Sequence, residues 1–218
     1  ACVDGEQITE AMVVEAFQHR ALQHDKEGDL HYDLLSALHK SLRNSDVQAA
    51  VYWLARALEA GADPVHAARR LVAVAAEDIG LADPMALQVA VSALQALQFL
   101  GLPEGRLPLT EAVVYLAAAP KSNAVYRAIH DAMAMARDGA QHPVPIHLRN
   151  ATTGLMKDLG HGQGYVYAHD TKEGVARMEC LPPELRSVQF YKPGDRGFEK
   201  KVQERMVEND RLRRGGRD

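Results

Sequence analysis

Apolar residues recur at helical spacing through most of this chain. Tyr32, Leu35, Leu38 and Leu42 mark the inner face of one helix, and Val47, Val51, Leu54 and Leu58 mark that of the next. Between them Ser45-Asp46-Val47-Gln48 fits a capping box, in which the serine accepts from an early helical amide and the glutamine reaches back to the serine amide. A helix is therefore predicted from about Asp46, ending at Gly61. Asp63-Pro64 and Asp83-Pro84 each set a capping carboxylate before a proline whose missing amide costs nothing in a first turn, so each pair predicts a helix start. Gly80 and Gly101 end these two segments, and their succession predicts an antiparallel stack. Thr110 predicts the cap of a short apolar helix through Ala118, closed by Pro120, and Ser122 that of a helix to Gly139. Ahead of these, Thr9 to Gln23 predicts a helix with Val13, Phe17 and Ala21 near one face, and Asp25 to Asp29 a connection.

Beyond Gly139 the texture changes. Pro143 and Pro145 impose an extended path, Thr152 or Thr153 starts one short helix, and Gly160, Gly162 and Gly164 follow it. Tyr165-Val166-Tyr167 and Gln189-Phe190-Tyr191 alternate enough to predict short strands, with turns at Pro182-Pro183 and Pro193-Gly194. A last helix is predicted from Arg196 or Gly197, fraying over Arg211 to Asp218. The fold class is mainly α, with a loop-rich C-terminal part and at most a small β pairing.

Composition narrows the function classes. Nearly half of the 218 residues are apolar, enough for a core, and Ala and Leu outnumber aromatics in a way that suits close-packed helices. No apolar run approaches the roughly 20 residues that cross a bilayer, so no membrane partner is expected. Cys2 and Cys180 stand at opposite ends without metal-ligand spacing, which argues against a disulfide framework. The net charge of -4 argues against a wholly nucleic-acid-binding surface.

Several residues invite chemistry. Lys121-Ser122 resembles the end of a phosphate loop, but the glycines are missing and Pro120 precedes it, which favours a helix cap over anion contact. Gly160-His161-Gly162-Gln163-Gly164 follows a helix instead of a strand, the reverse of a dinucleotide fingerprint, and reads as a chain-reversing loop. His161, His169 and Asp170 flank a predicted strand; converging on one cavity they would make a small enzyme or a metal site, and standing apart they are ordinary polar groups. Ser36, His39 and Asp33 lie near one another on a helix with no strained elbow to activate a nucleophile. Tyr52, Trp53 and Arg56 carry the residue types that anchor interfaces, yet Trp53 fits intrachain packing equally well, and Tyr126 with Arg127 has the same two readings. Arg186, Lys192, Arg196, Lys200, Lys201 and Arg205 lie near Phe190 and Tyr191, a combination able to track a phosphate backbone in a freestanding nucleic-acid-binding module. Asp195, Glu199 and Glu204 interrupt it and favour a solvated helix laced with i,i+4 pairs, leaving Arg196, Lys200, Lys201 and Arg205 as weak DNA contacts.

Five tracts carry a resemblance that spans about Ile8 to Met206: Tyr32 to Arg43, Glu77-Asp78-Ile79-Gly80-Leu81-Ala82-Asp83-Pro84, Pro120-Lys121-Ser122-Asn123-Ala124-Val125-Tyr126, His147 to Asn150, and Tyr167 to Asp170. Together they resemble the region C-terminal to the ATPase core in the RarA/MgsA family of replication-associated recombination ATPases. The resemblance implies a helical oligomerisation domain over residues 28–205, similar in role to a clamp-loader collar, after a remnant of the ATPase lid and linker at 1–27 and before a flexible tail at 206–218. It implies a homotetramer, cytoplasmic and nucleoid-associated, that meets DNA mainly through the ATPase core and is linked to single-strand-binding protein. ATP and Mg²⁺ belong to that core; no residue here matches its Walker motifs, so no catalytic, cofactor or metal residue is assigned. Lys121, Asn123, Tyr126, His147, Arg149, His169 and Asp170 join Tyr52, Trp53 and Arg56 as candidate interface residues because the matched tracts contain them.

Overall fold

A computed structural model describes residues 30–137 and 142–215. The helix expected over Thr9 to Gln23, the connection at Asp25 to Asp29 and the stop at Gly139 lie outside them. The chain divides into two compact units, one holding residues 30–75 and 85–119, the other residues 76–84 and those from 120 onward.

The described residues of the first unit form an α-helical bundle. Its helices are α1 (residues 30–43), α2 (Val47–Glu59), α3 (Pro64–Val74), α4 (Ala86–Leu100) and α5 (Arg106–Ala118). α5 is central and packs on α2, α3 and α4. It buries Leu109, Ala112, Val113, Leu116 and Ala117, and the small alanines let neighbouring helices approach closely. α1 contributes Leu34, Leu35, Leu38 and Leu42 to the core, each fully buried leucine stabilising by about 2 kcal/mol. Tyr32, expected on the inner face, is exposed.

The caps divide into those predicted and those displaced. Asp63 accepts from the Val65 amide at 2.8 Å, with Pro64 opening α3, as the Asp-Pro pair predicts. Ser45 does not cap α2. It takes a left-handed φ of 60° where α1 ends, and Asp46 accepts from the Ala49 amide at 2.9 Å instead. α2 consequently buries Ala50, Leu54 and Ala57, while Val47, Val51 and Leu58 are only half-buried. Asp83-Pro84 does not open α4 either: the chain passes through a π-helical turn at Ala75–Ile79 and a 3-10 turn at Gly80–Ala82, Asp83 is extended, and α4 starts at Ala86 without a side-chain cap. Thr110 lies inside α5, its hydroxyl donating to the Arg106 carbonyl at 2.8 Å, because Pro108 is tolerated in the first turn and the helix begins earlier.

Among the described residues the second unit has the helices α6 (Ala124–Arg137), α7 (Gly154–Asp158) and α8 (Glu199–Arg214), joined by loops and the 3-10 turns Ile146–Leu148, Ala168–Asp170 and Pro183–Leu185. Thr153 caps α7 through the Met156 amide at 3.3 Å. Gly160, Gly162 and Gly164 all have left-handed φ and reverse the chain after it. The predicted strand pairing is not formed; no strand occurs among the described residues. Local turns take its hydrogen bonds, since the Tyr165 amide donates to Gly162 and the Tyr167 carbonyl accepts from Asp170. α8 runs to Arg214. Ion pairs Glu208–Arg211 and Asp210–Arg213 lace its last turns, and Gly215 closes it in the left-handed conformation. No helix among the described residues is long and apolar enough to cross a membrane.

Candidate functional site

Two of the five tracts meet in the second unit. The Ser122 amide donates to the Asp78 carbonyl at 2.8 Å, and Gly80, at φ 52°, lies so close to Ser122 and Val125 that a Cβ there would sit 3.4 Å from both. Ser122 Oγ accepts from the Ala124 amide at 3.2 Å and so caps α6. Its own amide is committed to Asp78 and Pro120 has none, so this is a capped helix start and not a phosphate cradle. Lys121 is half-buried here. Burial holds its amine below the usual lysine range, with the Asp78 charge acting in the opposite direction.

The start of α8 closes on the same place. The Phe198 amide donates to the Ala82 carbonyl at 2.8 Å. Gly197, at φ 53°, packs so tightly that a Cβ would overlap the Ala82 carbonyl oxygen. Glu199 follows, 0% exposed, accepting from the Tyr191 hydroxyl at 2.8 Å and the Gly194 amide at 2.7 Å. Burial, then the bond to Glu199 and its charge, push the Tyr191 phenol well above the usual tyrosine range. Glu199 was read from the sequence as one acid of a solvated helix. The signal that could have found it is the glycine pair Gly194 and Gly197 immediately before a charged helix, with a tyrosine upstream.

The candidate interface residues scatter. In the first unit, Tyr52 and Arg56 are exposed on α2, where Arg56 donates to the Tyr52 hydroxyl at 3.1 Å, and half-buried Trp53 meets the Tyr52 ring edge-on at 5.0 Å. In the second unit, Asn123 is exposed and its carbonyl accepts from Arg127 at the start of α6. Tyr126 is exposed one turn from His130, on which it stacks at 6.2 Å. α6 buries Ala124 alone, and Tyr126, Ile129 and Met133 stand 48%, 56% and 46% exposed at i, i+3, i+7 spacing.

His147 and Arg149 point to loop building. The His147 ring bonds the Glu179 carbonyl at 2.8 Å and Arg149 donates to the Val144 carbonyl at 2.7 Å, both beside a shallow cavity of about 360 Å³. His161 Nδ1 faces the Asn150 carbonyl at 3.4 Å, while His169 lies against Tyr167 with ring centres 5.1 Å apart. His161, His169 and Asp170 do not converge on a common point. Arg196, Lys200, Lys201 and Arg205 are exposed, and none lines the groove beside α8 that Arg186 and Lys192 do line.

The described residues, mainly α in a bundle and in a loop-rich unit, fit a helical domain that accompanies an AAA+ motor. The chain belongs to the family described as MgsA AAA+ ATPase C terminal, whose model matches residues 44–210; that of an AAA C-terminal domain matches residues 3–43. It is similar to replication-associated recombination protein A of Haemophilus influenzae, with 47% identity over 96% of this chain and 47% of the relative. The protein of that name in Escherichia coli is 48% identical over 90% of this chain and 44% of its own length. The ATPase WRNIP1 of Dictyostelium discoideum is 42% identical over 84% of this chain and 21% of its own. The chain thus spans about half the length of the bacterial relatives or less.

Proposed function

We propose that this chain is the tetramerisation module of a DNA-dependent AAA+ ATPase that maintains replication forks and takes part in recombination. The observation that carries the reading is the outer face of α6, where Tyr126, Ile129 and Met133 form an apolar stripe that the monomer leaves in water. A stable assembly buries more than about 1,000 Å² in total around aromatic or aliphatic anchors, and a four-turn helix with such a stripe supplies a suitable centre. The names of the relatives support the family role in replication-associated recombination. ATP, Mg²⁺ and most DNA contact belong, on this reading, to the ATPase core. Single-strand-binding protein is a partner of the whole protein in the cytoplasm, at the nucleoid.

Sedimentation velocity tests it. Ile129→Glu places a charge in the stripe and should weaken self-association by about 30-fold or more, the effect of losing an anchor worth about 2 kcal/mol, while helical circular dichroism stays unchanged. Association that is indifferent to Ile129→Glu and Met133→Glu would remove α6 from the interface.

A further inference from the structure

An open groove of about 820 Å³ runs between α8 and the segment before it. One wall is the α8 face carrying Gln203, Met206, Val207 and Asp210, at i, i+3, i+4, i+7 spacing. The other is the segment 187–193, in which residues 188–193 run without helix, turn or bend. This is the stretch whose alternation predicts a strand. Gln189, Phe190 and Lys192 have no backbone hydrogen bond to any described residue, whereas the far end of the segment is fixed through the Tyr191 hydroxyl and Gly194 amide on Glu199. The result is a stretch of backbone held at one end and without backbone partners among the described residues at Gln189, Phe190 and Lys192, beside an open groove, to which an extended peptide can add by main-chain hydrogen bonds.

Charge identifies the guest. Arg186, Lys192, Arg213 and Arg214 line the groove against two acids, Glu179 and Asp210, and Asp210 is already paired with Arg213. Arg186, Lys192 and Arg214 have no acidic partner among the described residues. Leu181 and Val188 add apolar surface to that of Met206 and Val207 on the α8 wall, and methionine adapts to side chains of varied shape. A nucleic acid fits less well. Tyr191 spends its hydroxyl on Glu199, Phe190 and Tyr191 are both half-buried, and two carboxylates interrupt the phosphate path.

We propose that this groove binds an extended acidic peptide, which adds as a strand to residues 189–192, sets alternate apolar side chains on Met206 and Val207, and places carboxylates on Arg186, Lys192 and Arg214. The inference goes beyond the oligomerisation reading and does not depend on it.

Fluorescence anisotropy with a labelled peptide of about ten residues, alternating Glu with Leu, tests it on the full 218-residue chain. Binding should be saturable, weaken with salt, and fall at least about tenfold in the Arg186→Glu/Lys192→Glu variant with circular dichroism unchanged. Two further probes, N-methylated at alternate residues in either register, need no change to the protein: because amides alternate along a strand edge, one register should abolish binding and the other retain it. Equal binding by both registers overturns strand addition. Equal or tighter binding of a control peptide of the same length that alternates Lys with Leu, or of oligothymidylate, overturns the acidic-peptide assignment. A fall in the assembled mass of the charge-reversed variant, without loss of peptide affinity, gives the groove to a second copy of the chain and overturns the proposal.

Discussion

Tyr191 donates to the carboxylate of Glu199 across 2.8 Å, and Glu199 is wholly buried while heading a helix rich in charge. The Gly194 amide supplies its second bond, at 2.7 Å. A buried carboxylate is tolerated when its oxygens are hydrogen-bonded, and these two donors fix where α8 begins. Glu199→Ala should therefore lower stability by about 3 kcal/mol, since it leaves a hydroxyl and an amide without their acceptor, whereas Glu199→Gln should cost about 1 kcal/mol. Urea denaturation followed by circular dichroism measures both. Equal midpoints for wild type and Glu199→Ala would show that the carboxylate contributes nothing.

The same pair gives the protein an alkaline limit. A phenol whose folded pKa lies above its unfolded value, near 10, contributes stability that is complete below that value and is lost as pH rises toward the folded one. Ultraviolet titration should show a tyrosine ionisation above the usual tyrosine range, and Tyr191→Phe should abolish that step. Lys121 has the opposite sign: its depressed folded pKa lets stability rise with pH until the unfolded value of 10.5 is reached. Lys121→Met should flatten that rise.

Gly197 tests whether the matched tracts define the fold. Gly197→Ala adds both a left-handed strain and an overlap with the Ala82 carbonyl, so a loss of about 2 to 4 kcal/mol is expected in thermal or urea unfolding. Gly174→Ala, also at positive φ but with open space around it, should lose only about 1 kcal/mol. Similar losses at the two positions would contradict the close packing of α8 on Ala82.

On α2, the two aromatic neighbours should separate. Tyr52 is exposed and Trp53 half-buried, so Tyr52→Ala should leave stability within about 1 kcal/mol while Trp53→Ala costs about 2 to 3 kcal/mol. The reverse order in chemical denaturation would mean that the α2 face has been assigned wrongly.

The helices of the first unit were legible because each buries a stripe that the periodicity of leucine and alanine displays, and Asp63 and Thr153 were legible because a cap needs only its own residue and two or three neighbours. Ser45 was not. Its composition satisfies a capping box, but the end of α1 imposes a left-handed backbone that composition does not report. The strand predicted at Gln189 does not form: alternation shows the two faces a strand would have and says nothing of whether a partner exists. Glu199 was hidden because its burial depends on Tyr191 and Gly194 being folded back on it, and the surrounding charges give α8 the pattern of a solvated helix. Of the matched tracts, Glu77 to Pro84 and Pro120 to Tyr126 proved to lock onto each other, so their density reflects fold at Ser122 and Gly80 and leaves Tyr126 for the surface.

The central claim, that this chain assembles through its own surface without nucleotide, is tested most directly by native mass spectrometry of the wild-type chain, with ATP and Mg²⁺ absent. The account predicts a dominant species of four times the chain mass, which falls to smaller species in Ile129→Glu. A wild-type chain that remains monomeric at concentrations of tens of micromolar, roughly the range in which interfaces of standard size are occupied, would contradict it.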